Sequence, residues 1–339
     1  MNFWSKLKRP IFALAPMADV TDAAFRRVIA KYGKPDVMWT EFVSADGLAL
    51  APDLPAGPGR RESGRKKLLK DLEYSESERP IVAQFFTSTP ANMRLAAQLA
   101  ANLGFDGIDI NMGCPDRGIE KQGAGAAMIK SPERALEVIE AAKIGLPVSV
   151  KTRIGFNVVE IETWISTLLK ANLAALTIHL RTRKEMSKIP AHWEYMKRII
   201  ELRNKFAPET LILGNGDVKD LSEARLRIEE TGCDGVMIGK GIFGNPWLFA
   251  NLAQIKSGGQ IEHPSEALAK GDRLRVLIEH TKLFEQLLPH KSFAIMKKHF
   301  KAYIAGFEGA AELRNKLMNA NNAQEVASII NRYLENGSK

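Results

Sequence analysis

Eight short apolar runs alternate with stretches of helical periodicity, and that alternation constrains the fold more than any other feature of the chain. The runs are Ile11 to Ala15, Asp36 to Thr40, Ile81 to Phe85, Gly107 to Met112, Pro147 to Thr152, Ala174 to His179, Leu211 to Gly214 and Gly235 to Gly239. Between them lie helical patterns, among them Ala23 to Tyr32, Ala91 to Leu103, Pro132 to Lys143, Glu160 to Ala171, Trp193 to Lys205 and Leu221 to Glu230. Near-continuous apolar strands separated by helices predict parallel pairing with both faces covered. Eight such units over about 240 residues match a (β/α)8 TIM barrel. A doubly wound open sheet is the alternative, but no G-x-G-x-x-G follows the first run. After Pro246-Trp247 the strand pattern stops. Ser257-Gly258-Gly259 reads as a linker, and four helical patterns follow from Ser265 to Leu334, a small bundle. The expected domains are a catalytic barrel over 1–256 and a C-terminal helical bundle over 260–339.

Composition narrows the function classes. Two cysteines, Cys114 and Cys233, provide neither a disulfide framework nor metal-site spacing, so no metal is expected and a reducing, cytoplasmic setting is. No run approaches the roughly 18 apolar residues of a membrane span, and the N-terminal residues lack the apolar core of a signal peptide. A formal charge of +9 points weakly to a polyanionic partner. Two basic features sharpen that. Arg60 to Lys67 forms a cluster within a polar excursion from Ala51 to Arg79, and the segment Lys291 to Tyr303 carries four lysines. In the latter, Phe293, Met296, Phe300 and Tyr303 recur at helical spacing, which makes them core and leaves the lysines for phosphates.

In a parallel barrel, chemistry belongs to the loops after the strand ends. The fourth run breaks at Met112-Gly113-Cys114-Pro115, so Cys114 sits in a tight loop just past a strand end, with Asn111 one step before the break. A free cysteine is as readily a small buried residue as a reactive one. Lys151 and His179 end otherwise apolar runs. A buried lysine is costly without an anionic neighbour, although it can also snorkel to the rim, and the histidine can be structural. The loops Gly214 to Asp217 and Gly239 to Asn245 allow backbone N–H groups to approach a ligand closely. Lying after the last two strands, they predict a phosphate-bearing cofactor.

Several of these residues fall into motifs. Ala15-Pro-Met-Ala18, Asp109-Ile-Asn-Met-Gly-Cys-Pro115, Lys121 with Ala124-Gly-Ala126, Leu176-Thr-Ile-His179 with Arg181-Thr-Arg183, Asn215-Gly-Asp217 and Met237-Ile-Gly239 together resemble the tRNA-dihydrouridine synthases of bacterial type. The resemblance runs from about Ile11 into the helical tail, where Met296-Lys-Lys-His299 and Gly309-Ala-Ala-Glu-Leu-Arg314 continue it. It implies an FMN enzyme that reduces the C5=C6 bond of selected tRNA uridines, with NADPH reducing the flavin and a monomeric, cytoplasmic protein. Cys114 would be the acid that protonates C5. By the same resemblance Asn111, Arg181 and Arg183 would contact the substrate nucleotide. Pro16, Met17, Gln84, Lys151 and His179 would contact the flavin. Asn215, Gly216, Gly239 and Lys240 would bind the ribityl phosphate end, with Asp217 in the same cofactor set. Two positions depart from the pattern: Leu180 stands where glycine is common, and Lys240 where arginine is usual. The competing reading is a small-molecule flavin barrel of the dihydroorotate or dihydropyrimidine dehydrogenase type, which the basic tail disfavours.

Overall fold

The computed structural model describes residues 2–50, 64–259 and 270–336. Nine strands form one sheet that closes on itself: β1 (Ile11–Leu14), β2 (Met38–Trp39), β3 (Val43–Ser44), β4 (Ile81–Phe86), β5 (Gly107–Met112), β6 (Val148–Arg153), β7 (Ala175–His179), β8 (Leu211–Asn215) and β9 (Gly235–Ile238). All pairings are parallel, in the order β1-β9-β8-β7-β6-β5-β4-β2. The seam between β1 and β2 closes through a bridge between Ala13 and Val37, and Leu14 N–H donates to the Val37 carbonyl. The barrel expected from the sequence is therefore present. The extra strand is β3, which continues the second unit and pairs with the end of β4.

Alternation along each strand sorts the residues into two sets. One set packs inside the barrel, where Ile11, Val37, Ala175 and Leu211 form an apolar lower layer. Trp4, on the N-terminal 3-10 turn Phe3–Lys6, joins that layer and meets Trp39 at 5.9 Å between ring centroids. The other set faces the surrounding helices in the main core, with Phe12, Ile108, Ile110 and Ile178 fully or almost fully buried. The inside set turns polar toward the strand C-termini: Gln84, Asp109, Asn111, Ser149, Lys151, His179 and Asn215. Asp22 caps the first barrel helix, Ala23–Tyr32, by accepting from Phe25 N–H, as its sequence position suggests.

The C-terminal helices are Lys270–Leu287, Met296–Tyr303, Ala310–Leu317 and Ala323–Asn336. Met296, Phe300 and Tyr303 are buried and Phe293 packs beside them, which confirms the core stripe. The same core takes in Ala24 and Val28 from the first barrel helix. At this seam His280 and His299 stand 4.7 Å apart, both near Phe25. Burial drives the pKa of His299 down to about 3 and that of His280 well below the ordinary range.

Lys291 differs from the outward-facing lysines expected of its segment. Its Nζ lies 2.6 Å from Glu41 Oε2 and 3.1 Å from Asp71 Oδ1, and its side chain is only 13% exposed. Burial alone would lower its pKa; Glu41 and Asp71 outweigh that and raise it. Glu41 in turn accepts from Asp19 N–H, and Asp71 ends the helix Gly64–Asp71 of the polar excursion. Three segments distant in sequence thus meet on one ammonium. Lys298 and Lys301 are exposed as expected. The start of the Arg60 to Lys67 cluster lies outside the described residues.

Candidate active site

The strand C-termini bring the candidate residues together by register. Gln84 pairs with Asp109, Asn111 with Lys151, Arg153 with His179, and His179 with Asn215. A pocket opens above them, lined by Pro16, Met17, Lys151, His179, Arg181, Asn215, Gly216, Asp217, Gly239 and Lys240. Ala15, Ser187, Val218 and Met237 complete it. Ser187 carries no local signal in the chain, because its place depends on how the β7 loop folds back. Nine of the ten expected cofactor residues line this pocket. The exception is Gln84, which is fully buried and bonded to its neighbours instead.

The pocket is strongly cationic. Lys151 Nζ donates to Asn215 Oδ1 at 3.1 Å, and Asn215 Nδ2 donates to the Met237 carbonyl, so the asparagine is fixed with its oxygen toward the lysine. Burial, with Arg153 nearby, lowers the Lys151 pKa to about 8. Burial and the surrounding cations Arg153, Lys151, Arg181 and Lys240 hold His179 neutral at physiological pH. Arg181 pairs with Asp217 and donates to the Ile189 carbonyl, and its Nη1 lies 3.2 Å from His179 Nε2. Gly216 has φ +133°, a conformation side chains rarely adopt, and a Cβ there would meet the Ala191 Cβ at 2.7 Å. A glycine is required at that turn. Positive groups with a lysine drawn toward neutrality form a site that favours an anionic ligand.

The Cys114 loop is built to hold its shape. Asn111 Oδ1 accepts from Gly113 N–H at 3.1 Å and Cys114 N–H at 2.9 Å. Ala126 N–H donates to the Cys114 carbonyl, and a Cβ on Gly125 would lie 2.7 Å from that same oxygen. The small-residue patch therefore exists so that a second chain segment can pass under the cysteine. Arg153 donates from Nε to the Gly113 carbonyl and from Nη1 to the carbonyls of Thr182 and Met186, clasping this loop to the loop after β7. The Cys114 thiol is half-buried, and burial raises its pKa above the ordinary 9.0. It is a protonated thiol at neutral pH, a poor nucleophile and a competent acid.

Arg183 pairs through two nitrogens with Glu120 and lies over the Phe156 ring. It borders the Cys114 loop and does not line the pocket. Leu180 is fully buried in the core around the barrel, so a side chain at that position fills space among the helices and does not intrude on the pocket. Lys240 is exposed at the rim.

A family model described as "Dihydrouridine synthase (Dus)" matches residues 13–336. This chain belongs to the dihydrouridine synthase family. Among similar curated proteins of the family, "Probable tRNA-dihydrouridine synthase 2" of Bacillus subtilis (strain 168) is 42% identical over 334 residues, covering 98% of this chain and 96% of that protein. A "Probable tRNA-dihydrouridine synthase" of Staphylococcus aureus (strain COL) is 40% identical over 336 residues, covering 98% and 95%. Family membership thus extends over the barrel and the helical bundle alike. Among solved structures, morphinone reductase aligns with a TM-score of 0.51 at 14% identity, over 77% of this chain and 89% of that one. At that identity the likeness concerns the barrel fold alone.

Proposed function

We propose that this chain reduces the C5=C6 bond of specific uridines in tRNA to dihydrouridine, with FMN as the bound flavin and NADPH as its reductant. The observation that carries the reading is a protonated, loop-fixed thiol near a cationic pocket lined by nine of the ten expected cofactor residues, in a chain with family membership across its length. The buried cations fit a flavin mononucleotide. Asn215, Gly216, Gly239 and Lys240 would hold its phosphate end, with Asp217 in the same cofactor set and paired with Arg181, while Pro16, Met17, Lys151 and His179 would line the ring, with Gln84 behind them. When bound, the flavin supplies a hydride to the base.

The residues of the chain do the rest. C5=C6 of uracil is conjugated to the C4 carbonyl, so reduction at C6 leaves an electron-rich C5 that needs a proton. Cys114 gives that proton from Sγ. Its raised pKa keeps the proton on sulfur until the acceptor forms, as a general acid requires. Asn111 presents an Nδ2 hydrogen to the uracil edge, because its Oδ1 is already committed to the loop. Lys151 would set its positive charge against the bound ring, which favours an anionic form of that group. Arg181 and Arg183 contact the substrate nucleotide.

The target base must leave its stack to reach the barrel mouth. We assign the barrel to residues 1–256 and a tRNA-holding role to the helical bundle over 260–339, whose exposed Lys298 and Lys301 suit a phosphate backbone. The protein acts as a cytoplasmic monomer. No helix among the described residues is long and apolar enough to cross a membrane.

The test is anaerobic. The protein is reduced with NADPH, and flavin absorbance is followed after addition of unmodified tRNA or, separately, free uridine or orotate. Reoxidation by tRNA alone is the expected result; reoxidation by the small pyrimidine alone would instead establish a metabolic reductase. Cys114→Ala should retain flavin and lose about 100-fold or more in rate, the usual contribution of a general acid.

A further inference from the structure

Asp109 lies at the bottom of the polar layer, beneath the pocket, and neither lines the pocket nor touches the Cys114 loop. It is fully buried in the middle of β5. Its Oδ2 accepts from Gln84 Nε2 at 2.6 Å and its Oδ1 from Ser149 Oγ at 2.5 Å. Gln84 Oε1 then accepts from Asn111 Nδ2 at 3.2 Å, and Asn111 Oδ1 accepts from the backbone N–H groups of Gly113 and Cys114. Four links join a buried carboxylate to the loop that carries the thiol.

The direction of this chain is forced at both ends. Backbone N–H groups can only donate, so Asn111 must turn its oxygen toward the loop. A carboxylate can only accept, so Gln84 must turn its nitrogen toward Asp109. Between those ends the Gln84 oxygen and the Asn111 nitrogen are left facing each other, which is the only arrangement that bonds. If the acceptor at position 109 were removed, the Gln84 amide would lose what fixes its orientation. A flipped Gln84 would present nitrogen to nitrogen, and Asn111 would lose its support or turn over with it. Turned over, Asn111 releases Gly113 and Cys114 and offers an acceptor where a uracil carbonyl calls for a donor. Gln84 and Asn111 are buried, so water cannot readily replace a lost partner.

The geometry points to Asp109 as a positioning residue for the reaction: acting through Gln84, it sets the orientation of the Asn111 amide and with it the seat of Cys114. This rests on the reading of Cys114 as the proton donor. At neutral pH the role is available. Burial raises the Asp109 pKa only to about 6, the Ser149 and Gln84 hydrogen bonds and the Lys151 charge opposing it.

The experiment compares Asp109→Leu and Asp109→Asn in the full-length flavin-loaded protein, by single-turnover reoxidation of the reduced flavin at varied tRNA. Leucine matches the aspartate in shape and removes the acceptor. At saturating tRNA its rate should fall about tenfold or more, with the half-saturating tRNA concentration unchanged within about twofold, the pattern of a lost orienting interaction. Asparagine can still accept from Gln84 while donating to Ser149 Oγ, whose hydrogen passes to the Ile108 carbonyl 3.2 Å away. It should restore the rate to within about threefold of the unaltered protein. If the leucine variant does not fold, Asp109→Val makes the same removal with a side chain that strands favour.

Wild-type rate in the leucine or valine variant overturns the proposal. So does an asparagine variant as slow as leucine, since charge and not hydrogen-bond direction would then be what matters. A weaker tRNA half-saturation at unchanged rate also overturns it. Cys114→Ala run alongside separates the two ideas: full activity there removes the thiol reading itself, whereas a slow Cys114→Ala beside a fast Asp109→Leu removes only the role of Asp109.

Discussion

The barrel and the helical seam both bury polar side chains, but they treat them differently. In the barrel two buried carboxylates, those of Glu78 and Asp234, have directed partners. Arg26 and Glu78, both wholly inaccessible, pair at 2.7 Å, and the remaining guanidinium nitrogens donate to the carbonyls of Thr21 and Glu73. Asp234 accepts from Arg9, Arg203 and the backbone of Ile212. At the seam, by contrast, both ring nitrogens of His280, Nε2 of His299 and the hydroxyl of Tyr303 are buried without a hydrogen-bond partner among the described residues. The barrel uses polar groups to fix direction, at the cost of needing every partner. The seam uses them as bulk among aromatic rings, so His280 and His299 are kept neutral by burial, with no hydrogen-bond partner among the described residues at those nitrogens to compensate.

Removing one barrel partner should have the largest effect. Glu78→Leu strands the Arg26 charge in the interior and is expected to cost about 3–5 kcal/mol in denaturant unfolding. A loss under about 1 kcal/mol would mean that the pair is hydrated and the contrast overstated. The seam should fail by acid instead. His299, held neutral in the fold, contributes stability that is present above the ordinary histidine pKa of 6.5 and is lost as pH falls below it toward about 3. At about pH 5 that loss is on the order of 2 kcal/mol from this residue. His299→Phe should reduce the fall of the melting temperature between about pH 6.5 and 5, His280 still contributing, and an unchanged acid slope would place the sensitivity elsewhere. The smallest effect is expected from Tyr303→Phe, which removes a buried hydroxyl that has no hydrogen-bond partner among the described residues. It should be neutral or stabilising by up to about 1 kcal/mol, and a clear destabilisation would reveal a partner for that oxygen. Proton donation by Cys114 should be insensitive to pH across the neutral range, whereas the positive charge of Lys151 is lost as pH rises through about 8. The raised thiol pKa of Cys114 means that proton donation declines only above the ordinary 9.0, as the thiol ionises.

Much of this was legible in the chain because the features are local. Apolar runs of strand length, an aspartate before a helix, a glycine–cysteine–proline break and two glycine turns after the last strands all depend on neighbours within a few residues. The pocket followed from them, since a barrel necessarily gathers its strand ends. Long-range partnerships were not legible. Gln84 reads as one more residue at a mouth until Asp109 and Asn111, 25 and 27 residues away, are seen on either side of it. Lys291 looks like its lysine neighbours because nothing nearby marks it. Its partners lie 250 and 220 positions earlier. Leu180 stands out in the sequence only as a departure from a common glycine, and its place after β7 is what shows it pointing outward into the core.

The meeting of Glu41, Asp71 and Lys291 has a consequence for how the protein comes into being. Both carboxylates are synthesised with the first third of the chain, and their counter-charge arrives only near its end. Without that segment the two acids would face each other with no ammonium between them, a local concentration of negative charge. Docking of the last helices neutralises that spot in the same movement that supplies Lys298 and Lys301. The place where the last helices meet the barrel mouth is thus balanced in charge only once they have docked.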